Sequence, residues 1–182
     1  MRRHFGIILM AASLISAASC TKEATEEAYA KQESLISSFV EKKLESNHDL
    51  KVTYNGGSVR ITLNEGEGME VNARGKVSIT YAGYDFKKGT MDKNTLFATN
   101  SRSVAASSGW ELSDESSFEP LVIDLSDKEI IPGLRNGLVG VSEGEECIIL
   151  FTGKYGFGKK SIGTISANAP LAYQIWVEHI DN

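Results

Sequence analysis

The chain has 182 residues, and its 24 acidic residues outnumber its 19 lysines and arginines, giving a formal net charge of −5. This balance argues against a nucleic-acid-binding protein, because such binding depends on clustered cations that neutralise phosphates. The length fits one domain with a tether. Of the two cysteines, one ends a targeting segment, so no internal disulfide is expected.

The N-terminus is typical of a secretory signal segment. Arg2 and Arg3 supply positive charge, residues 6–15 are nearly all apolar, and small residues lead to Cys20. The segment resembles the lipobox of bacterial lipoproteins, in which this cysteine becomes the lipidated first residue. We therefore predict anchoring through Cys20 to a membrane of the bacterial cell envelope, most simply the outer membrane, facing the periplasm or the surface. An ordinary signal peptide followed by a chance cysteine is the alternative.

The segment after Cys20 is first acidic and then periodic. Glu23, Glu26 and Glu27 resemble the surface-export signal of some Bacteroidetes lipoproteins, although a solvated leader explains them more simply. Without residues 1–19 the chain keeps 17 basic and 24 acidic residues, a formal charge of −7. From Glu26 to about Glu45, apolar residues at three- and four-residue spacing predict an amphipathic helix: Leu35, Ile36, Phe39, Val40 and Leu44. A stalk-like extension is the simplest interpretation, while packing on the domain and pairing with a second copy in an oligomer stay open.

The rest of the chain predicts short strands and one short helix. Alternating residues on both sides of Asn55-Gly56-Gly57 indicate a hairpin. Alternation predicts three further strands, over residues 77–81, 121–125 and 171–180, and an apolar run too short for a typical helix predicts a fourth over 146–152. Pro132 opens a short helix over about 130–139. Residues 85–94 are charged and loop-like, and the long polar stretch 101–117 is either functional or disordered. These elements predict an antiparallel α+β domain.

The most informative motif is Ile131-Pro132-Gly133-Leu134-x-x-Gly137-Leu138-x-Gly140-Val141-x-x-Gly144-Glu145. Its spacing resembles the centre of FKBP-type peptidyl-prolyl isomerases. Upstream, Val77-Ser78-Ile79-Thr80-Tyr81-Ala82-Gly83 resembles a core strand of that family, and downstream Tyr155-Gly156-Phe157-Gly158 resembles its aromatic loop. Residues 165–171 resemble a family hairpin, with Ser166 and Ala167 in place of two prolines.

The resemblance implies a five- or six-stranded antiparallel sheet curled around one short helix, with an apolar pocket between them. The chain would then divide into a signal peptide (1–19), a lipidated tether with the amphipathic helix (20–49) and an FKBP-like domain (50–182) with an insertion at about 98–118. The implied reaction is rotation about X-Pro bonds in proline-containing polypeptides, which requires no metal or other cofactor. The implied role is assistance to protein folding by this isomerase, or rotamase, activity.

Carried over residue by residue, the resemblance places apolar and aromatic side chains at the pocket. They are the wall residues Tyr81, Phe97 and Tyr173, the mouth residues Ile130 and Ile131, the floor residue Leu134, the loop residue Phe157 and the lid residue Ile165. The backbone N–H of Ile131 would donate a hydrogen bond to a substrate carbonyl.

Three positions depart from the family pattern. Ala98 stands where an aspartate usually follows the wall phenylalanine, Leu134 replaces a tryptophan, and Phe157 replaces a tyrosine that donates its O–H to substrate. Loss of that hydrogen bond costs about 1 kcal/mol, and a smaller floor weakens contact with the proline ring. We therefore expect attenuated isomerase activity, with a non-catalytic peptide- or protein-binding envelope lipoprotein as the alternative.

Other chemistries have little support in the sequence. Gly153-x-x-x-x-Gly158-Lys159-Lys160 lacks the Ser or Thr that a phosphate-binding P-loop requires. His48 and His179 lie far apart and away from cysteine, so no zinc site is expected. Cys147 lies in an apolar run and is interpreted as a core thiol. Trp176 is interpreted as core packing, while Trp110 is either a local anchor or a ligand contact.

Overall fold

The computed structural model describes residues 15–111 and 114–182. Residues 1–14 and the side chain of Cys20, on which the predicted signal segment and lipid attachment rest, lie outside this described part. Three α-helices are present in it: α1 (Ile15–Ser46), α2 (Arg102–Ser108) and α3 (Pro132–Leu138). No described helix is both long enough and apolar enough to cross a membrane.

Seven strands form one antiparallel sheet. They are β1 (Lys51–Asn55), β2 (Ser58–Asn64), β3 (Lys76–Asp85), β4 (Leu96–Thr99), β5 (Leu121–Asp124), β6 (Glu146–Phe151) and β7 (Leu171–Asp181). Their order is β1-β2-β6-β7-β3-β4, and β5 pairs with residues 76–79 of β3, beside the β4 pairing at residues 82–84. The predicted antiparallel α+β fold is confirmed. The strand missing from the prediction is β4, whose sequence Leu96-Phe97-Ala98-Thr99 does not alternate apolar and polar residues.

Different helices pack on the two faces of the sheet. Along β6, Cys147, Ile149 and Phe151 point to the core around α3, whereas Ile148 and Leu150 point to the core around α1. We call these the α3 face and the α1 face. This division follows from the two-residue period of a strand, in which neighbouring side chains point to opposite sides.

Helix α1 packs its apolar stripe on the sheet of its own chain. Ile36 and Val40 are buried on the α1 face, and the ring of Phe39 meets Phe86 edge-on at 5.2 Å between centroids. The expectation of a stalk-like extension is therefore wrong from Tyr29 onward. Residues 22–28, by contrast, are largely exposed. Packing on the sheet is favoured over an exposed stalk because it removes the apolar stripe of α1 from water.

Helix α3 lies close against β6 because two of its residues have no side chain. A Cβ atom on Gly133 would overlap the ring of Phe151, and one on Gly137 would overlap Ile149. Pro132 occupies the first turn, where its missing N–H leaves no hydrogen bond unmade. The motif glycines therefore set the distance between α3 and the sheet.

The described part of the polar stretch 101–117 is folded, which rules out disorder there, one of the two alternatives that the sequence left open. The Ser101 side chain caps α2 by accepting from the Val104 N–H, and Gly109 ends the helix with φ of 74°. Arg102 pairs with Glu115 at 2.6 Å and lies 4.0 Å from the centre of the Phe118 ring. These contacts join α2 to the following 3₁₀ turn.

Candidate functional site

All eight predicted pocket residues lie in one cluster on the α3 face. Three of them are buried, namely Leu134, Ile165 and Tyr173. The other five are half-buried and pack against this core: Tyr81, Phe97, Ile130, Ile131 and Phe157. The sequence thus identified residues that the fold brings together from β3, β4, β7, α3 and the loop after β6.

Three aromatic side chains of this cluster, Tyr81, Phe97 and Tyr173, lie against one another, and we call them the aromatic wall. The ring of Tyr173 meets Phe97 edge-on at 5.8 Å and Tyr81 at a tilt at 6.2 Å between centroids. Gly83 lies opposite Tyr173 across the strands, and a Cβ atom on it would approach the Phe97 ring at 2.7 Å. The absence of a side chain at Gly83 therefore lets Phe97 lie over β3.

The aromatic wall presents two neutral phenols. Burial raises the pKa of Tyr81, and burial followed by the neighbouring Tyr81 raises the pKa of Tyr173. Both hydroxyls therefore keep their protons at neutral pH. Within residues 15–111 and 114–182, neither hydroxyl makes a hydrogen bond. Ala98, opposite Gly83, brings no carboxylate to accept from them.

Ile131, a residue of this cluster, has a backbone donor that no described group uses. Ile131 precedes α3 with an extended backbone (φ −54°, ψ 131°), and its carbonyl accepts from the Arg135 N–H at 3.1 Å. The N–H of Ile131 itself has no hydrogen-bond partner among the described groups. A backbone donor beside an apolar, aromatic surface can bind the carbonyl of an extended peptide.

Helix α3 is fixed by polar residues of β2 that sequence reasoning missed. Arg60 donates to the carbonyls of Gly137 (3.1 Å), Val139 (3.0 Å) and Gly140 (2.9 Å). Ser58 donates to the Gly133 carbonyl at 2.6 Å. The last carbonyls of a helix lack partners within it, and a cation there also complements the helix dipole.

A buried carboxylate balances this arginine. Glu145 lies 3.4 Å from the Arg60 Nε and accepts hydrogen bonds from Thr62 and from the Ser142 N–H, both at 3.0 Å. Arg60 and Glu145 are only 6% and 5% exposed. We call Ser58, Arg60, Thr62 and Glu145 the polar anchor. The alternation of β2 predicted that Ser58, Arg60 and Thr62 share one face of the sheet. It did not predict that the end of α3 packs against that face.

The Asn100 side chain joins β3 to the segment that follows β4. Its side chain accepts from the Tyr81 N–H at 2.6 Å and donates to the carbonyls of Ile79 (3.1 Å) and Glu119 (3.0 Å). Thr99 donates to the Tyr81 carbonyl at 2.7 Å. The backbone of Tyr81 is therefore held where β3 passes from its pairing with β5 to its pairing with β4.

The remaining candidates lie away from the cluster or within the core. Trp110 and Trp176 pack on the α1 face, which makes Trp110 an anchor for the insertion rather than part of the aromatic wall. Cys147 is fully buried, and burial strongly raises the pKa of its thiol, as expected for a core residue. His179 pairs with Glu143 at 2.9 Å. No group of three or more potential metal ligands occurs in the part of the chain that the structure describes.

An antiparallel sheet curled around a short helix, with an aromatic wall between them, defines the class of FKBP-like α+β domains. The family model for FKBP-type peptidyl-prolyl cis-trans isomerases matches residues 68–178, and the chain belongs to this family. FK506-binding protein 1 of Aspergillus oryzae is 30% identical over 121 residues, which cover 65% of this chain and 94% of that protein.

Solved structures show the same fold. A peptidyl-prolyl cis-trans isomerase from Pseudomonas syringae pv. tomato aligns with a TM-score of 0.59 at 18% identity, covering 87% of this chain and 96% of its own. FkpA from Escherichia coli aligns with a TM-score of 0.56 at 19% identity, covering 94% of this chain and 74% of its own.

Proposed function

We propose that this protein is a peptidyl-prolyl cis-trans isomerase that binds X-Pro segments of polypeptides at the α3-face cluster. The observation that carries the proposal is that Ile131, whose N–H has no described partner, belongs to the same cluster as the aromatic wall of Tyr81, Phe97 and Tyr173. One part supplies a hydrogen bond to a substrate carbonyl, and the other supplies an apolar surface for the proline ring. Membership of the isomerase family supports the same function.

The reaction suits a site without an acid or base. Rotation about an amide is opposed by resonance, with a barrier of roughly 18–20 kcal/mol. Resonance is greatest in the planar, more polar amide and is lost in the twisted one. An apolar pocket therefore stabilises the twisted state relative to the planar one, which is differential binding of the transition state. The role of Tyr81, Phe97 and Tyr173 is to exclude water from the twisting bond.

The proposed activity is attenuated. Leu134 provides a smaller floor than the usual tryptophan, Phe157 has no hydroxyl to donate, and Ala98 brings no carboxylate to the wall. A missing hydrogen bond of about 1 kcal/mol lowers the rate constant about fivefold.

The proposed location is the bacterial cell envelope, with the chain held to a membrane through lipid on Cys20. The support is the signal-like N-terminus and the position of the cysteine. The exposed start of α1 at residues 22–28 provides a spacer between that cysteine and the domain. Labelling of cells with a radioactive fatty acid, comparing the native chain with Cys20→Ala, tests the attachment.

Acceleration of cis/trans exchange in a short X-Pro peptide tests the activity. The full chain should accelerate exchange, and Phe97→Ala should lower kcat/KM about tenfold through lost aromatic contact. Trp110→Ala is the matched control, because it removes a partly buried aromatic ring from the opposite face. Equal losses in the two variants, or no acceleration by the native chain, would contradict the proposal.

The second candidate is a non-catalytic peptide- or protein-binding module of the same fold. It is favoured by the three substitutions at Ala98, Leu134 and Phe157, which weaken catalysis more than they alter the fold. Saturable binding of an X-Pro peptide that Phe97→Ala weakens, without acceleration of exchange, identifies this function.

Assembly through α1 has less support, because Ile36 and Val40 are already buried on the chain's own sheet. Sedimentation of the full chain as a monomer would rule out assembly through α1.

A further inference from the structure

The loop between β6 and β7 carries two pocket residues and is closed at its base. Phe157 and Ile165 both belong to the segment from Gly153 to Asn168, and both pack on the α3-face cluster. A Cβ atom on Gly153 would overlap the backbone of Asn168, so the two ends of the segment touch. Compact surface loops whose ends lie close together are known as Ω-loops and are frequently functional.

Helix α1 binds both ends of this loop through one side chain. The Gln32 amide N–H donates to the Asn168 carbonyl at 2.8 Å, while its oxygen accepts from the Gly153 N–H at 2.9 Å. One turn earlier, the Tyr29 hydroxyl donates to the Asn168 side chain at 2.8 Å. We call Tyr29 and Gln32 the α1 clamp.

The clamped residue has an unusual backbone. Asn168 is the one non-glycine residue with positive φ (56°) in the part of the chain that the structure describes. Asparagine tolerates this left-handed conformation better than other side-chain-bearing residues, but it remains sparsely populated. Such a conformation persists where the surroundings over-determine it, and Asn168 is held by the α1 clamp and by its own N–H bond to Gly158.

Other polar links from the loop are local. Between residues 153 and 168, the described hydrogen bonds apart from those of the α1 clamp stay within the loop or end at its flanking residues. Examples are the paired bonds between Ile162 and Ile165, both 2.9 Å. Among the described residues, the hydrogen bonds that connect this loop to another helix or strand therefore come from Tyr29 and Gln32.

We infer that Tyr29 and Gln32 are positioning residues for the isomerase site, acting through the loop that holds Phe157 and Ile165 against the aromatic wall. The inference rests on the proposed function for its kinetic consequence, but not for its structural one. Helix α1 thereby positions residues of the pocket, in addition to its proposed role as a tether to the membrane. Neither residue lies in the cluster that contacts substrate.

Gln32→Ala in the full chain tests this role. Alanine has a higher helix propensity than glutamine, so α1 stays helical while both hydrogen bonds to the loop are lost. Amide hydrogen exchange of residues 153–168 should become about tenfold faster. KM for an X-Pro peptide should rise severalfold with little change in kcat, because the loop contributes binding rather than chemistry. Tyr29→Phe, which removes one bond, should shift both quantities in the same direction by less.

Glu41→Ala is the matched control, since Glu41 is an exposed residue of the same helix. If the native chain is active and Gln32→Ala matches this control in loop exchange and in KM, the inference is overturned. Faster loop exchange with unchanged KM also overturns it, because the contact would then be purely structural. If the native chain is inactive, the proposed function fails, and unchanged loop exchange in Gln32→Ala would overturn the clamp separately.

Discussion

The polar anchor and the aromatic wall lie on the same face of the sheet but satisfy their hydrogen-bonding groups differently. In the anchor, Arg60 alone donates to three carbonyls at the end of α3, and Glu145 accepts two hydrogen bonds besides pairing with Arg60. In the wall, the hydroxyls of Tyr81 and Tyr173 have no described partner. The polar anchor fixes the end of α3 on the sheet, whereas the aromatic wall has two hydroxyl donors without a described partner.

This difference explains how the family motif can be kept while the pocket changes. Gly133 and Gly137 are required by the contact between α3 and β6, since a side chain at either would overlap the sheet. Leu134 and Phe157 belong to the cluster proposed to bind substrate, where we expect a substitution to alter binding before it alters stability. The scaffold is therefore more constrained than the surface that it supports.

Glu145→Ala should have the largest effect, because it breaks the polar anchor. Removal of one partner leaves the buried Arg60 charge uncompensated, which costs about 3–5 kcal/mol. Chemical denaturation monitored by circular dichroism measures the free energy of unfolding. Glu27→Ala, which removes an exposed ion pair with Lys31, should leave stability unchanged. Equal stability of the two variants would show that the anchor contributes little.

Gly83→Ala should have the next largest effect on the free energy of unfolding, because it forces the aromatic wall to move. The new methyl group would meet the Phe97 ring at 2.7 Å, and overpacking of this kind costs about 1–3 kcal/mol. The same substitution in a Phe97→Ala background should cost clearly less, since the ring that it meets is gone. A double-mutant cycle on unfolding free energies measures this coupling, and simple additivity would contradict the proposed packing.

Sequence reasoning recovered α3 and every strand except β4, because each depends on a local pattern. Alternation or an apolar run identified these strands, and the spacing of Gly133, Gly137 and Gly144 identified the fold. Helix α2 was missed although Ser101 and Gly109 stand at its ends, since its serine-rich interior lacks an apolar period. Attention to those two capping residues would have found it.

The supports of the site were beyond sequence reasoning. Arg60 and Gln32 each lie in an element that was correctly predicted, but their partners are far away in the chain, at residues 137–145 and 153–168. No local pattern states which backbone groups an arginine or a glutamine will satisfy. The same reason explains the error about α1, whose stripe could be recognised but whose receiving surface could not.

Phe157→Tyr should have a smaller effect and the opposite sign. It restores a hydroxyl at the loop position, and one new hydrogen bond to substrate of about 1 kcal/mol raises kcat/KM about fivefold. The X-Pro exchange assay measures it. Phe118→Tyr, which adds the same hydroxyl to a ring outside the cluster, should leave kcat/KM unchanged. An equal gain in both variants would indicate a general effect, and no gain at position 157 would place that loop out of reach of substrate.

Tyr173→Phe should have the smallest effect at neutral pH, because the hydroxyl that it removes has no described partner. Unfolding free energy should change by less than about 0.5 kcal/mol. The difference should emerge at high pH. Burial raises the pKa of Tyr173 above its ordinary value, so the unfolded chain releases this proton while the folded chain retains it.

Stability that depends on this raised pKa is fully present below about pH 10 and is lost as the pH rises further. The variant lacks this ionisable group, so its unfolding free energy should fall less steeply than that of the native chain above about pH 10. Denaturation curves of both proteins on either side of that pH provide the comparison, and Cys147 contributes equally to both. Identical slopes would mean that the wall phenol is open to water, which would remove the dry surface on which the proposed isomerase mechanism depends.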